Sequence, residues 1–101
     1  MMKLTVLYLH PSDAATFDDY YTSIHTPLVH KIPGLLRFEV AHVVATPDGS
    51  PSPHFMIAEL YFETLESLQV GMGSLEGQAT AADVQNFAPQ GASMMICDIT
   101  A

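Results

Sequence analysis

Three short segments of this chain are apolar at both odd and even positions, and this pattern constrains the fold more than any other feature. The segments are residues 3–9, 54–62 and 92–100. Successive side chains of a β-strand point to opposite faces of the sheet, so a strand of this composition needs cover on both faces. Helices on one side of an antiparallel sheet leave the second face free. We therefore predict that this face packs on the sheet of a second copy, related by a two-fold axis. An unusually apolar monomer is the alternative.

The segments between these strands complete a β-α-β-β-α-β order. Residues 35–45 alternate between apolar and polar side chains and predict the second strand in chain order. The apolar residues of 14–28 share one helical face. We expect this helix to end at Thr26, because Pro27 disfavours helical geometry in the residue before it. Further helices are expected in residues 64–74 and 77–88. The order predicts an α+β, ferredoxin-like fold: a four-stranded antiparallel sheet with helices on one face, in a single domain over residues 1–101.

Composition limits the classes of partner. Apolar residues make up 49% of the chain, and the formal net charge is −8 with only three cations, Lys3, Lys31 and Arg37. Nucleic acid and anionic membrane surfaces are therefore not expected as partners, because clusters of cations bind both. Cys97 is the single cysteine, which excludes an internal disulfide and a thiolate metal site. The short apolar start fits neither a signal peptide nor a membrane span, and a cytoplasmic location is expected.

His25 is the leading candidate for chemistry. It flanks the apolar face of the first helix, where its side chain can reach a cavity between helix and sheet. Histidine is the usual general acid or base near neutral pH. The alternative is a histidine at a helix C-terminus that favours the helix dipole and caps carbonyl groups. His25 and His30 lie five residues apart, which does not fit helical metal-ligand spacing, so neither a metal nor a cofactor is predicted.

Polar aromatic residues are candidates for orienting a ligand beside His25. Tyr8, Tyr21 and Tyr61 each combine an apolar ring with a hydroxyl group, a combination that ligand pockets use. Protein cores and interfaces use the same combination, so this alternative stays open. His42, on the second strand, is a further candidate for orienting the substrate.

Glu59 lies among apolar neighbours in the third predicted strand. A carboxylate in such surroundings is costly unless it is paired or protonated. We predict that Glu59 pairs with Arg37 or Lys31, with a pocket acid of raised pKa as the alternative.

The sequence resembles the EthD family, named for bacterial ethyl tert-butyl ether degradation, over nearly its whole length. Four motifs carry the resemblance. They are His25-x-Pro27-Leu28, Ile32-Pro33-Gly34-Leu35, Ala58-Glu59-Leu60-Tyr61-Phe62 and Ser74-x-Glu76-Gly77-Gln78-Ala79. The resemblance implies a dimeric α+β barrel, in which two ferredoxin-like subunits join sheet to sheet. This agrees with the prediction made from the strands alone.

The resemblance also implies candidate site residues. The wider superfamily contains polyketide cyclases, cofactor-free monooxygenases, muconolactone isomerases and haem enzymes, although a chain of this length offers little room for haem. In relatives of the lactone methylisomerase type, a histidine at the end of helix one belongs to the active site, and His25 occupies that place. The aromatic residue on strand two is a tyrosine in that type and Phe38 here, which removes a hydroxyl. The cysteine nucleophile of that type has no counterpart.

These observations leave three hypotheses. The first is a cofactor-independent isomerase, cyclase or oxygenase that acts on a small, apolar, oxygen-bearing molecule, with His25 moving a proton. The second is a non-catalytic binding or accessory protein of a degradation or biosynthetic pathway, with the same pocket. The third is a structural dimer in which His25 only packs. A His25 side chain that opens into a cavity favours the first two, and one that is exposed or bonded to backbone carbonyls favours the third.

Overall fold

A computed structural model describes residues 1–101. Four strands and two helical segments follow one another in the predicted β-α-β-β-α-β order, and the α+β, ferredoxin-like fold class is confirmed. The sheet is antiparallel throughout, with strand order β2-β3-β1-β4. The strands are β1 (Met2–Leu9), β2 (Arg37–His42), β3 (His54–Phe62) and β4 (Ala92–Asp98). The helices are α1 (Ala14–Tyr20), a π-helical turn (Tyr21–His25), α2 (Thr26–Val29), α3 (Leu65–Gly73) and α4 (Leu75–Phe87).

The first helix does not end at Thr26, so that prediction is wrong. Asp13 caps α1 by accepting a hydrogen bond from the backbone nitrogen of Thr16. The chain then widens into the π-helical turn, in which the Thr26 N–H bonds to the carbonyl of Tyr21, five residues earlier. Pro27 follows in the first turn of α2, where a missing N–H costs least. The widened turn therefore lets the helix continue past the proline.

The second helical segment consists of α3 and α4, and each of these helices begins at a side-chain cap. The Thr64 hydroxyl accepts a hydrogen bond from the backbone of Ser67 and starts α3. The Ser74 hydroxyl starts α4, two residues before the predicted boundary. Gly71 allows α3 to approach the preceding loop, because a Cβ at this position would lie 2.5 Å from the carbonyl oxygen of Pro33.

The helix-facing side of the sheet forms the core. Alternate residues of β1 and β3 are buried on this side, including Tyr8 and Phe62. A bulge at the start of β3, opposite the end of β1, places the Phe55 ring against Phe17 of α1. Strand β2 is shorter than predicted, and Val44, beyond its end, is 93% exposed.

The opposite side of the sheet, called the open face below, has no helix over it. It carries apolar side chains such as Leu7 and Ile57, which lie opposite each other on β1 and β3. It also carries an ion pair between Lys3 and Glu59, so Glu59 is paired, although not with the predicted partners. Arg37 pairs with Glu39 instead. The open face is therefore partly apolar and partly ion-paired, and the sheet-to-sheet homodimer stays a prediction.

Candidate functional site

A small cavity lies between the helices and the sheet. Its volume is about 30 Å³, which accommodates about two water molecules. Thirteen residues line it; eleven are hydrophobic, two of these being tyrosines, and the others are His25 and Thr80. The Thr80 hydroxyl is already bonded to the backbone carbonyl of Glu76. The polar groups available to an occupant are therefore those of His25 and the two tyrosines.

His25 is positioned by the π-helical turn. Tyr21 and His25 are the first and last residues of that turn, and both are buried against the core. The imidazole ring lies between two aromatic rings, with centroids 4.9 Å from that of Tyr21 and 4.7 Å from that of Phe87. His25 is only 3% exposed and is not bonded to a backbone carbonyl. The helix-end capping interpretation of His25 therefore does not apply.

Asp83 of α4 is the hydrogen-bonding partner of His25. Its Oδ2 lies 2.9 Å from the Nδ1 of His25. Its Oδ1 accepts hydrogen bonds from the Tyr20 hydroxyl at 2.6 Å and from the Asn86 side chain at 2.9 Å. Burial opposes ionisation of this carboxyl group, but the three hydrogen bonds together hold the pKa of Asp83 below its ordinary value. Asp83 is therefore an ionised acceptor at neutral pH.

The sequence interpretation missed Asp83. A signal for it exists, because Thr80, Asp83, Val84 and Phe87 follow the i, i+3, i+4, i+7 spacing of one helical face. The first three are buried and Phe87 is partly buried, so Asp83 is the one carboxylate on an inward-facing stripe of α4. A carboxylate at such a position requires donors nearby.

The protonation state of His25 follows from these contacts. Burial lowers the pKa of His25, and the bond to Asp83 only partly offsets this. The ring is therefore neutral at neutral pH, and its Nδ1–H donates to the Asp83 carboxylate. Nε2 makes no hydrogen bond with the protein. Every side-chain nitrogen or oxygen that is closed off from solvent has a hydrogen-bond partner, so Nε2 is not closed off. His25 is also one of the residues that line the cavity.

Tyr8 and Tyr21 also line the cavity, and their rings meet edge to face with centroids 5.8 Å apart. Burial raises the pKa of the Tyr8 hydroxyl to about 12. Burial and the neighbouring Tyr8 likewise raise the pKa of Tyr21. Both hydroxyl groups therefore stay protonated at neutral pH, and because they also interact with each other, one of the two is available to donate a hydrogen bond to an oxygen atom in the cavity.

The other three predicted site residues, Tyr61, Phe38 and His42, do not line this cavity. Tyr61 follows the inward-facing Leu60 on β3, so it points to the open face, where its hydroxyl bonds to Glu39 at 2.8 Å. Phe38 and His42 lie on the edge strand β2, which β3 separates from β1. The Phe38 ring packs against His30, and the Nε2 of His42 lies 2.9 Å from Asp18. Sequence alternation alone did not show which side of the sheet, or which strand, the cavity adjoins.

The structure contains no group of three or more His, Cys, Asp or Glu side chains that could hold a metal ion. None of its helices has the length and apolar character that a bilayer crossing requires.

Family comparison agrees with the sequence resemblance. The EthD domain model matches residues 10–91. The chain belongs to the EthD family. A relative in Rhodococcus erythropolis, an uncharacterized 11.0 kDa protein in the thcB–thcC intergenic region, is 43% identical over 98 residues, which is 97% of this chain and 94% of the relative. The crystal structure of an EthD family protein from Bacillus halodurans superposes with a TM-score of 0.93 and 38% identity, covering 99% of each chain.

A more distant structure shares only the fold with this EthD protein. Hydroxynitrile lyase from Passiflora edulis superposes with a TM-score of 0.78 at 9% identity, covering 98% of this chain and 93% of the lyase. This similarity shows that the same arrangement of strands and helices occurs in an enzyme. It does not assign an activity to this chain, because one fold hosts many functions.

Proposed function

We propose that this EthD-family protein binds a small, uncharged, oxygen-bearing apolar molecule in the cavity, and that His25 moves a proton on it without a cofactor. The observation that carries the proposal is the His25 imidazole, which bonds to Asp83 through Nδ1, leaves Nε2 without a protein partner and lines an apolar cavity. The corresponding reaction class is isomerisation, cyclisation or cofactor-independent oxidation.

The charge of the ligand follows from the electrostatics of the cavity. No lysine or arginine lines it. Lys3 and Arg37 are paired with glutamates on the open face. An anionic ligand would lie one side chain away from the Asp83 carboxylate without a compensating cation, and an uncompensated charge in an apolar site is costly. An uncharged molecule avoids this cost.

The size of the ligand depends on the side chains at the cavity mouth. Ala81 and Met94 are exposed and Met72 is partly exposed, although all three line the cavity. Methionine side chains have three rotatable bonds and adapt to irregular shapes. A ligand larger than two water molecules enters by displacing Met72 and Met94, while Tyr8 and the strands stay fixed by the core.

The proposed chemistry uses three groups. Nε2 of His25 takes a proton from an acidic C–H or O–H of the bound molecule. A hydroxyl of Tyr8 or Tyr21 donates a hydrogen bond to the oxygen on which negative charge develops. The imidazolium so formed stays beside the Asp83 carboxylate and returns its proton to another atom of the same molecule, which completes an isomerisation.

The binding step is tested with a matched pair of probes. γ-Butyrolactone is uncharged, and its hydrolysed form, 4-hydroxybutyrate, is an anion of similar size. We expect the lactone to shift the NMR signals of His25, Tyr8 and Tyr21 in a saturable way, and 4-hydroxybutyrate to leave them unchanged. Equal shifts with both probes, or no saturable shift with the lactone, would contradict the proposed ligand class.

The proton-transfer step is tested by deuterium exchange. We expect the protein to accelerate the incorporation of deuterium from D2O at the α-carbon of cyclopentanone. His25→Gln should lose about 100-fold or more of this acceleration, because general base catalysis contributes about 10²–10⁴. Exposed His30→Gln serves as the matched control. Saturable binding of the ketone without exchange would favour the alternative, a non-catalytic binding or accessory protein.

We also propose that two copies associate through their open faces. Leu7 and Ile57 of this face are only partly buried in the single chain, and Met95 is 42% exposed. The charged groups of the face are already paired as Lys3–Glu59 and Arg37–Glu39, so packing would not isolate a single charge.

Light scattering after size-exclusion chromatography tests this association. The wild-type mass should correspond to two chains, and Ile57→Glu should give one, because the new carboxylate would be buried between the sheets without a cation. Val70→Glu, on the exposed surface of α3, is the matched control and should stay dimeric. A monomeric wild type would contradict the proposal.

A further inference from the structure

We propose that Asp83, itself held by Tyr20 and Asn86, is the positioning residue that fixes the orientation and tautomer of the His25 ring. The effect on the ring is a property of the resting protein. Its catalytic consequence rests on the function proposed above. Asp83 touches no cavity space in this arrangement and acts only through His25.

The geometry divides the two carboxylate oxygens of Asp83 between different partners. Oδ2 is left to the Nδ1 of His25, at 2.9 Å. Oδ1 accepts both the Tyr20 hydroxyl and the Asn86 amide, at 2.6 and 2.9 Å. Tyr20 comes from α1 and Asn86 from the next turn of α4, so donors from two helices hold the carboxylate in one orientation. Rotation of the carboxylate would break two hydrogen bonds at a site where Asp83 is 7% exposed.

This arrangement selects one tautomer of His25. A carboxylate with three donors has only acceptor capacity to offer, so the histidine nitrogen that faces it must carry the proton. The proton therefore lies on Nδ1, and Nε2 of this cavity-lining residue keeps its lone pair. The other titratable side chains beside the ring are Tyr21, whose ring centroid lies 4.9 Å away, and Tyr8, which lines the same cavity, and both keep their hydroxyl protons at neutral pH. No group near the ring competes with Asp83 for the Nδ1–H.

The variant Asp83→Asn tests the inference because it keeps the size of the side chain. In the wild type Tyr20 and Asn86 both donate to Oδ1, so with these roles kept the carbonyl oxygen of the new amide takes the place of Oδ1. Its NH2 group is then turned towards His25, whose Nδ1 must accept. We therefore expect the ring proton to move to Nε2 and the pKa of His25 to fall, because a negative partner is lost. Nitrogen-15 NMR of the histidine side chains reports both quantities.

Two further variants complete the experiment. Asp19→Asn, on the exposed side of α1, is the matched control and should leave the His25 signals unchanged. Tyr20→Phe removes one donor from Oδ1 without changing the fold of the ring cluster. The Nδ1–H tautomer should persist, and the pKa of His25 should rise because the carboxylate charge is less shared. Identical His25 signals in wild type, Asp83→Asn and Tyr20→Phe would overturn the inference. If Asp83→Asn does not fold, Tyr20→Phe alone decides.

The ketone exchange assay separates failure of this inference from failure of the proposed function. Asp83→Asn should lower the turnover number by about 100-fold or more with little change in KM, because the wrong tautomer presents N–H instead of a base. Equal turnover in wild type and Asp83→Asn, with the acceleration lost in His25→Gln, would refute positioning by Asp83 while supporting His25 catalysis. The expected tautomer change in a protein that neither binds nor exchanges the ketone would support positioning and refute the proposed function.

Discussion

Enlarging the cavity from within should weaken the fold and improve the binding of a larger ligand at the same time. Val84 of α4 is 7% exposed and lines the cavity. Val84→Ala removes two carbon atoms from the core. Each buried CH2 group stabilises by about 0.8 kcal/mol, so the loss of burial amounts to about 1.6 kcal/mol. A residual void adds to this, and we expect the free energy of unfolding to fall by about 2 kcal/mol.

The decrease in the free energy of unfolding corresponds to a decrease in the melting temperature, and the size of this decrease depends on the length of the chain. For a domain of about 100 residues, 1 kcal/mol corresponds to a shift of about 4–8 °C. The expected decrease in Tm for Val84→Ala is therefore roughly 10 °C, measured by calorimetry at one fixed protein concentration, since self-association also changes Tm. Ile32→Val is the control, because Ile32 is equally buried and does not line the cavity.

The binding half of the prediction uses two lactones that differ by one methyl group. γ-Valerolactone carries one more methyl than γ-butyrolactone, and burying it is worth about 0.8 kcal/mol, or about fourfold in affinity. The ratio of the two dissociation constants should therefore shift about fourfold in favour of γ-valerolactone in Val84→Ala and not in Ile32→Val. The same ratio in wild type and Val84→Ala would refute the cavity as the binding site, whatever the loss of stability.

Three further predictions concern stability. Burial raises the pKa of Tyr8 from 10.0 to about 12, so its protonated hydroxyl contributes to the free energy of unfolding below pH 10, and this contribution is lost as the pH rises to 12. Urea unfolding should show the decrease in the free energy of unfolding, and the decrease should be smaller in Tyr8→Phe. Burial lowers the pKa of His25, so the unfolded chain binds a proton at higher pH than the folded chain, and the free energy of unfolding should fall as the pH decreases below 6.5. The same dependence of the free energy of unfolding on pH in His25→Gln would contradict this. Gly71→Ala should lower Tm, because its Cβ would meet the Pro33 carbonyl at 2.5 Å, whereas Gly73→Ala, with no atom within 4 Å, should not.

The π-helical turn explains the motif His25-x-Pro27 in structural terms. Pro27 has no N–H, and the wide turn before it ends with the bond from the Thr26 nitrogen to the Tyr21 carbonyl. This turn brings Tyr21 and His25 to the same buried side of the helix. A continuous helix therefore presents both side chains to the cavity, where a helix that ended at Thr26 would have left His25 at a frayed terminus.

The local pattern of the sequence was sufficient for the elements and their order. Strand β3 has its predicted bounds, and Thr64 starts α3 as expected, because alternation and side-chain caps act over a few residues. The local pattern was insufficient for two helix boundaries. At Pro27 the boundary depends on the π-helical turn that precedes the proline. At Ser74 it depends on which of several neighbouring residues caps α4. The element order correctly placed the helices on one sheet face, but the two-sided strands did not show that ion pairs occupy part of the other face.

The sequence by itself determined the β-α-β-β-α-β order of the elements, a net charge of −8 with only three cations, and the place of His25 on the flank of the apolar face of the first helix. Only the tertiary structure decided what surrounds His25. Asp83 is 58 residues away in sequence, and Tyr61, Phe38 and His42 are separated from the cavity by the direction of the pleat and the order of the strands. The contact between His25 and Asp83 depends on how α4 packs across the first helix. A sequence pattern of a few residues does not predict the distance between two helices.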